Sequence, residues 1–172
     1  ETSPFVVDVN VANSALLAAF QFTLSFNPVI VTFVDAQPGS FLGSSGRSVQ
    51  CNSPIVSTGN VTFGCFTTGT SIQPPSGPGT LARVTLQALV PGTSPLNLGS
   101  VVLASMDAQP LPVGGATGGS VIVNACPGIC PTLTPTPTPG PPTSTPTPGA
   151  GATLGSIAPT AVSVIVGQTI TV

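Results

Sequence analysis

Phe20-Gln21-Phe22-Thr23-Leu24-Ser25-Phe26 alternates without a break: the even positions are apolar, and Gln21, Thr23 and Ser25 are polar. Successive side chains of a strand point to opposite faces, so one face of this stretch belongs in a core and the other in water. The pattern recurs on either side. In Phe5-Val-Val-Asp-Val-Asn-Val11 the apolar set is Phe5, Val7, Val9 and Val11, and in Arg83-Val-Thr-Leu-Gln-Ala88 it is Val84, Leu86 and Ala88. Further strand-like runs are Val29 to Val34, Ile55-Val56, Val61 to Phe66, Leu81 to Leu89, Leu96 to Leu98, Val101 to Leu103 and Ser120 to Val123. Asn27-Pro28 and Pro38-Gly39 read as turns between them. Only Ser14 to Ala19 has a helical look, and it reads as a loop or single turn. Short strands separated by Pro and Gly predict an all-β, jelly-roll-like sandwich of two sheets over residues 1–125.

The charged groups are Glu1, Asp8, Asp35, Asp107, Arg47 and Arg83, and no His, Lys, Trp or Tyr occurs. Without His there is no Ser-His or Cys-His pair and no imidazole ligand. Without Lys there is no Schiff base and no phosphate-binding lysine. Two Arg make no basic patch, which argues against nucleic acid as a partner. Three scattered Asp make a poor calcium cage, so neither a metal nor another cofactor is expected. Asp35 and Asp107 are the one conceivable carboxylate pair, but Asp35-Ala and Asp107-Ala-Gln-Pro read as turns, and the chain reads as no enzyme. No run approaches the ~18 apolar residues of a membrane helix. So few charges suit a sugar-coated surface or a subunit of an assembly better than a lone soluble monomer. The chain opens at Glu1 with no signal peptide, as a processed secreted chain would.

Residues 126–159 form a different region. Pro131-Thr-Leu-Thr-Pro-Thr-Pro-Thr-Pro139 and Gly140-Pro-Pro-Thr-Ser-Thr-Pro-Thr-Pro148 cannot build a core. Such sequence favours extended polyproline II at ~3.1 Å per residue, so about 21 residues reach ~65 Å. Thr beside Pro is the composition of O-glycosylated stalks. The candidate acceptors are Thr132, Thr134, Thr136, Thr138, Thr143, Ser144, Thr145 and Thr147. Asn60-Val-Thr62 is an N-glycosylation sequon, a weaker signal because such triplets are common by chance.

Residues 160–172 return to strand character. Val162, Val164, Val166, Ile170 and Val172 share parity, interrupted only by Gln168, while Ile165 adds an apolar group opposite and Gly167 offers a bend. An apolar terminal strand is an aggregation hazard unless it pairs.

The four Cys allow three pairings, and closeness in sequence favours Cys51–Cys65 and Cys126–Cys130. Disulfides beside Pro/Thr-rich sequence fit an oxidising, extracellular or cell-surface setting.

Val7-Asp-Val-Asn-Val-Ala-Asn13, Ala19-Phe-Gln-Phe-Thr-Leu-Ser-Phe-Asn-Pro28, Phe33-Val-Asp-Ala-Gln-Pro-Gly-Ser-Phe-Leu42, Gly79-Thr-Leu-Ala-Arg-Val-Thr-Leu-Gln-Ala88 and Gly119-Ser-Val-Ile-Val123 occur in that order. Together they resemble the cohesin-type β-sandwich of bacterial extracellular proteins, related to some carbohydrate-binding modules, over residues 5–124. The resemblance implies a jelly roll of about nine strands. It departs from the family at Phe26-Asn27-Pro28, where Tyr-Asp-Pro is frequent. It departs again at the start, where Glu1 to Pro4 leave almost no room for the family's first strand. A sandwich lacking a strand keeps an open groove and unpaired edge groups.

The tail Val162 to Val172 resembles the opening of such a domain, Gly turn included. A gap at one end and its filler at the other is the logic of donor-strand complementation. Filling its own gap gives a closed monomer; filling a neighbour's gives a head-to-tail, non-closing contact and hence a filament. The semi-rigid stalk and the low charge favour the second, a homopolymer carrying covalent glycans. The alternatives are an adhesion or scaffolding module of a longer secreted protein, and a monomeric glycan-binding module. The last lacks the Trp and Tyr on which sugar platforms lean.

Overall fold

The computed structural model describes residues 4–69, 72–124, 164–165 and 169–171, all within one unit. Among the described residues there is no helix. The strands are β1 (Pro4–Asn13), β2 (Ala19–Ser25), β3 (Val31–Pro38), β4 (Ser48–Cys51), β5 (Ile55–Ser57), β6 (Asn60–Thr68), β7 (Gly79–Ala88), β8 (Gly92–Ala104), β9 (Pro110–Leu111), β10 (Gly115–Ala116), β11 (Gly119–Val123), β12 (Val164–Ile165) and β13 (Thr169–Thr171). One sheet runs β10-β13-β1-β7-β3. The other runs β12-β11-β8-β2-β6-β4, with β5 also on β6 and β9 on β8.

The alternating stretches form the facing inner surfaces. Phe20, Phe22 and Leu24 are buried from β2, Phe26 just beyond its end, and Val7, Val9 and Val11 from β1. Phe22 lies opposite Phe63 across the β2–β6 ladder, and the rings of Phe20, Phe22 and Phe63 stand 6.0–6.4 Å apart as an aromatic cluster at the centre. Both sheets fill one continuous core, which includes Val84 and Leu86 of β7, Leu103 of β8 and Val121 of β11.

Three departures from strict alternation are bulges. In β7 the register to β1 jumps from Val9↔Ala82 to Asn10↔Thr80, so Leu81 is the extra residue, and both Leu81 and Ala82 are buried. In β8 the register to β2 jumps from Gln21↔Val102 to Thr23↔Gly99, with Ser100 at φ 47°. The two runs Leu96–Leu98 and Val101–Leu103 are thus one strand whose parity flips at the bulge. In β3, Val34 is the extra residue between Phe33↔Leu86 and Asp35↔Thr85, which leaves Val34 exposed. That strand starts at Val31 rather than Val29, because Ile30 and Val31 N–H groups both turn back to the Asn27 carbonyl. Residues 14–18 form a loop with Leu16 at φ 50°, as the sequence predicts, and Leu17 is buried beneath it.

Cys51 and Cys65 lie directly opposite across the β4–β6 ladder, Cα–Cα 4.0 Å, and form a disulfide. It closes a short loop, worth about 3 kcal/mol in the chain-entropy view. The β5–β6 hairpin turns at Gly59, φ +73°, a left-handed conformation that suits Gly.

Candidate functional site

β1 pairs with β7 from Pro4 to Val11 along one edge. Along its other edge it meets β13 in parallel, with Asn10↔Thr169, Val11↔Ile170 and Asn13↔Thr171. The far side of β13 pairs antiparallel with β10, Gly115↔Thr171 and Ala116↔Ile170. In the other sheet β12 pairs antiparallel with the outer edge of β11, Ser120↔Ile165 and Val121↔Val164. Ile165 and Thr169 are four residues apart, so their Cα atoms lie within about 14 Å. The β1 and β11 edges therefore lie on one side of the sandwich. β13 lies between β1 and β10 in one sheet and β12 ends the other, and Val11 and Val121, in register with them, are each 1% exposed or less.

The sequence predicts one continuous strand over the tail. The structure instead gives two short strands in different sheets, and both pair with their own chain. Of the proposed donor residues, Val164, Ile165 and Ile170 fall in these strands, while Val162, Val166 and Val172 lie outside the described residues. So do Cys126, Cys130 and every Thr and Ser proposed as an O-glycosylation site in 132–147.

A second surface is the outer face of β4, β6, β2 and β8. It carries a shallow depression of about 180 Å³ bounded by Gln21, Asn52, Phe66 and Val102. Phe66 and Val102 are 43% and 51% exposed on this face. Gly64 lies opposite Gln21 on the floor, and a Cβ there would come within 2.8 Å of the Phe20 carbonyl oxygen. Towards the β5–β6 hairpin the face turns polar: the hydroxyls of Thr23 and Thr62 share a hydrogen bond of 2.8 Å. The Ser25 hydroxyl donates to Asn60 Oδ1 at 2.6 Å, and Asn60 Nδ2 donates to the Thr58 carbonyl. The sequon asparagine is thus held at both ends of its amide.

Asp8, Arg83 and Asp35 lie on the other sheet, in β1, β7 and β3. Arg83 Nε stands 3.5 Å from Asp8 Oδ1 across the β1–β7 ladder, an exposed pair of small energetic worth. Asp35 accepts a 2.8 Å hydrogen bond from Gln37 Nε2. It lies within β3, not in a turn as the sequence suggests, whereas Asp107 occupies the turn between β8 and β9. Among the described residues no three Cys, Asp or Glu side chains gather in a metal-binding group. No helix among them is long and apolar enough to cross a membrane.

The family model of the cohesin domain matches residues 3–122. The chain belongs to the cohesin family. No curated protein sequence matches it. Among solved structures, a cohesin of Clostridium acetobutylicum is similar at 20% identity and TM-score 0.55, covering 72% of this chain and 83% of that one. The sixth cohesin of Acetivibrio cellulolyticus scaffoldin B, solved with a Cel5 dockerin, is similar at 16% identity and TM-score 0.53, covering 69% and 87%. A non-cellulosomal cohesin of the archaeon Archaeoglobus fulgidus is similar at 18% identity and TM-score 0.50, covering 65% and 75%. At these identities the likeness concerns the fold.

One polar feature of this cohesin has no signal in its sequence. Arg47 is 6% exposed. Its Nε donates to Thr67 Oγ1 at 2.9 Å, and one terminal nitrogen donates to the Ile72 carbonyl and to Met106 Sδ. The guanidinium thereby ties β6 to the loop before β7 and to the β8–β9 turn. Charge-assisted bonds of this kind offset the cost of burying it. An isolated Arg between Gly46 and Ser48 gives no hint of burial, because its partners are 20 to 59 residues away.

Proposed function

We propose that this cohesin is a structural subunit of an extracellular or cell-surface filament that grows head to tail. Ala161 to Val172 of one copy would complete the β1 and β11 edges of the next. The observation that carries this reading is the seam: a segment beginning 41 positions after Val123 supplies the pairing partners that two edges of the sandwich require. A strand seated there through ~5 aliphatic side chains gains roughly 1.5–3 kcal/mol for each, less the cost of ordering it. The stalk of residues 126–159 would space the joints and carry the glycans, and Cys126–Cys130 would fix its exit. Negative-stain electron microscopy of the purified chain beside one lacking residues 160–172 tests it. Fibres are expected from the intact chain alone; fibres from both, or from neither, would refute it.

A second reading, a scaffolding or adhesion module, is supported by the uncharged depression around Phe66 and Val102, a surface suited to another protein. A relative is solved with a dockerin bound, so a dockerin-like domain is the partner to try. Under either reading the chain is a binding and assembly component, not an enzyme, and works outside the cell. Phe66→Asp would abolish partner capture under the second reading and leave fibres intact under the first.

A further inference from the structure

Arg47 is a buried cation, and among the described residues no carboxylate pairs with it; the ion pair they form is Arg83–Asp8. We infer that Met106 is a site of oxidation by peroxides whose sulfoxide is bound by the Arg47 guanidinium, so that oxidation tightens this sandwich instead of loosening it. The inference is independent of the filament and scaffolding readings.

Three observations lead to it. First, the acceptors around Arg47 are all uncharged: the Thr67 hydroxyl, the Ile72 carbonyl and the Met106 sulfur. A guanidinium offers five N–H donors, and a thioether is a weak acceptor, so the sulfur is the poorest of the three partners. Second, Met106 is within reach of solutes. It lies in the turn between β8 and β9 and is 37% exposed. It is the one Met of a chain without His, Trp or Tyr, so outside the cysteines it is the side chain that a peroxide oxidises first. Third, the sulfur stands 3.6 Å from Arg47 Nη1. An oxygen on that sulfur is brought to the guanidinium by side-chain rotation alone, and a charge-assisted N–H···O bond replaces a weak N–H···S contact.

The step is a two-electron oxygen transfer. A lone pair of Sδ attacks one oxygen of hydrogen peroxide, the S–O bond forms as the O–O bond breaks, and the proton of the transferred oxygen passes to the departing hydroxide, which leaves as water. Sulfur is oxidised and the peroxide reduced. In an apolar core the new oxygen disrupts packing. Here it meets a cation short of acceptors, on a turn at the surface. The added restraint acts on that turn, where Ser105 N–H donates to the Gln109 carbonyl and Ala108 N–H to the Ser105 carbonyl.

The test is the full chain treated with hydrogen peroxide until peptide mass spectrometry finds one added oxygen at residue 106. The folded-to-unfolded ratio should rise about fivefold, read from the denaturant midpoint. Amide exchange at Ser105 and Ala108 should slow, and a methionine sulfoxide reductase should reverse both changes. Arg47→Leu places an apolar side chain in the buried position, and there the same oxidation should lower the midpoint. Should that variant misfold, Met106→Gln is compared with Met106→Leu in the presence of Arg47. The Gln carbonyl stands in for the sulfoxide oxygen, and the Gln variant should be the more stable. A midpoint that falls or stays unchanged on oxidation of the natural chain would overturn the inference. So would an equal rise in Arg47→Leu, a Gln variant no more stable than the Leu variant, or a residue 106 that peroxide oxidises only after unfolding.

Discussion

The two lateral margins of this sandwich are finished in opposite ways. At one margin β4 is joined to β6 by Cys51–Cys65, residues 14 apart in sequence and directly opposed in register. At the other, the edges of β1 and β11 are met by β13 and β12, which come from the far end of the chain and are held by backbone pairing. A margin closed locally and covalently forms once and stays. Under the proposed filament reading, a margin met by a distant, short segment would be met equally by the same segment of another copy, as a head-to-tail polymer needs.

Perturbations of the common core should ignore that difference. Phe22 is fully buried between Phe20 and Phe63. Phe22→Ala is expected to cost about 3–5 kcal/mol, read as a fall in the denaturant midpoint, and to weaken both margins together. Replacing Cys51 and Cys65 by Ser should cost about 3 kcal/mol and act on the β4 margin only. Chemical denaturation measures the loss, and fibre yield under native conditions should not change. If fibres vanish with that disulfide, the two margins are not independent. At the other margin, Ile170→Asp should place a charge in the seam. The expected result is loss of fibres by electron microscopy, with the Phe20–Phe22–Phe63 core still cooperatively folded. The smallest effect belongs to the outer face: Asp8→Asn breaks an exposed ion pair with Arg83 and should change stability by less than about 1 kcal/mol, leaving fibres unaffected.

The central strands are legible in the sequence because one face of each is buried and the other wet. That is why Phe20–Phe26 and Phe5–Val11 register at once. Legibility fails where that condition fails. β4, Ser48–Cys51, is a margin strand with three of four residues exposed, so its pattern is silent. β8 reads as two strands because the bulge at Ser100 flips its parity. Asp35 looks like a turn residue because the bulge at Val34 breaks the alternation before it. The tail reads as one strand because its apolar parity runs nearly unbroken, yet its described residues divide between two sheets. The partners of Arg47 come together only through tertiary folding, and no local pattern encodes them.

Amide hydrogen exchange, comparing the intact chain with one lacking residues 160–172, tests the seam most directly. The predicted result is loss of protection confined to Asn10–Asn13, Gly115–Ala116 and Gly119–Val123, with β2 and β6 still slow to exchange. Equal protection of those three segments in both chains would mean that the C-terminal strands do not close the seam, and would contradict the donor-strand reading.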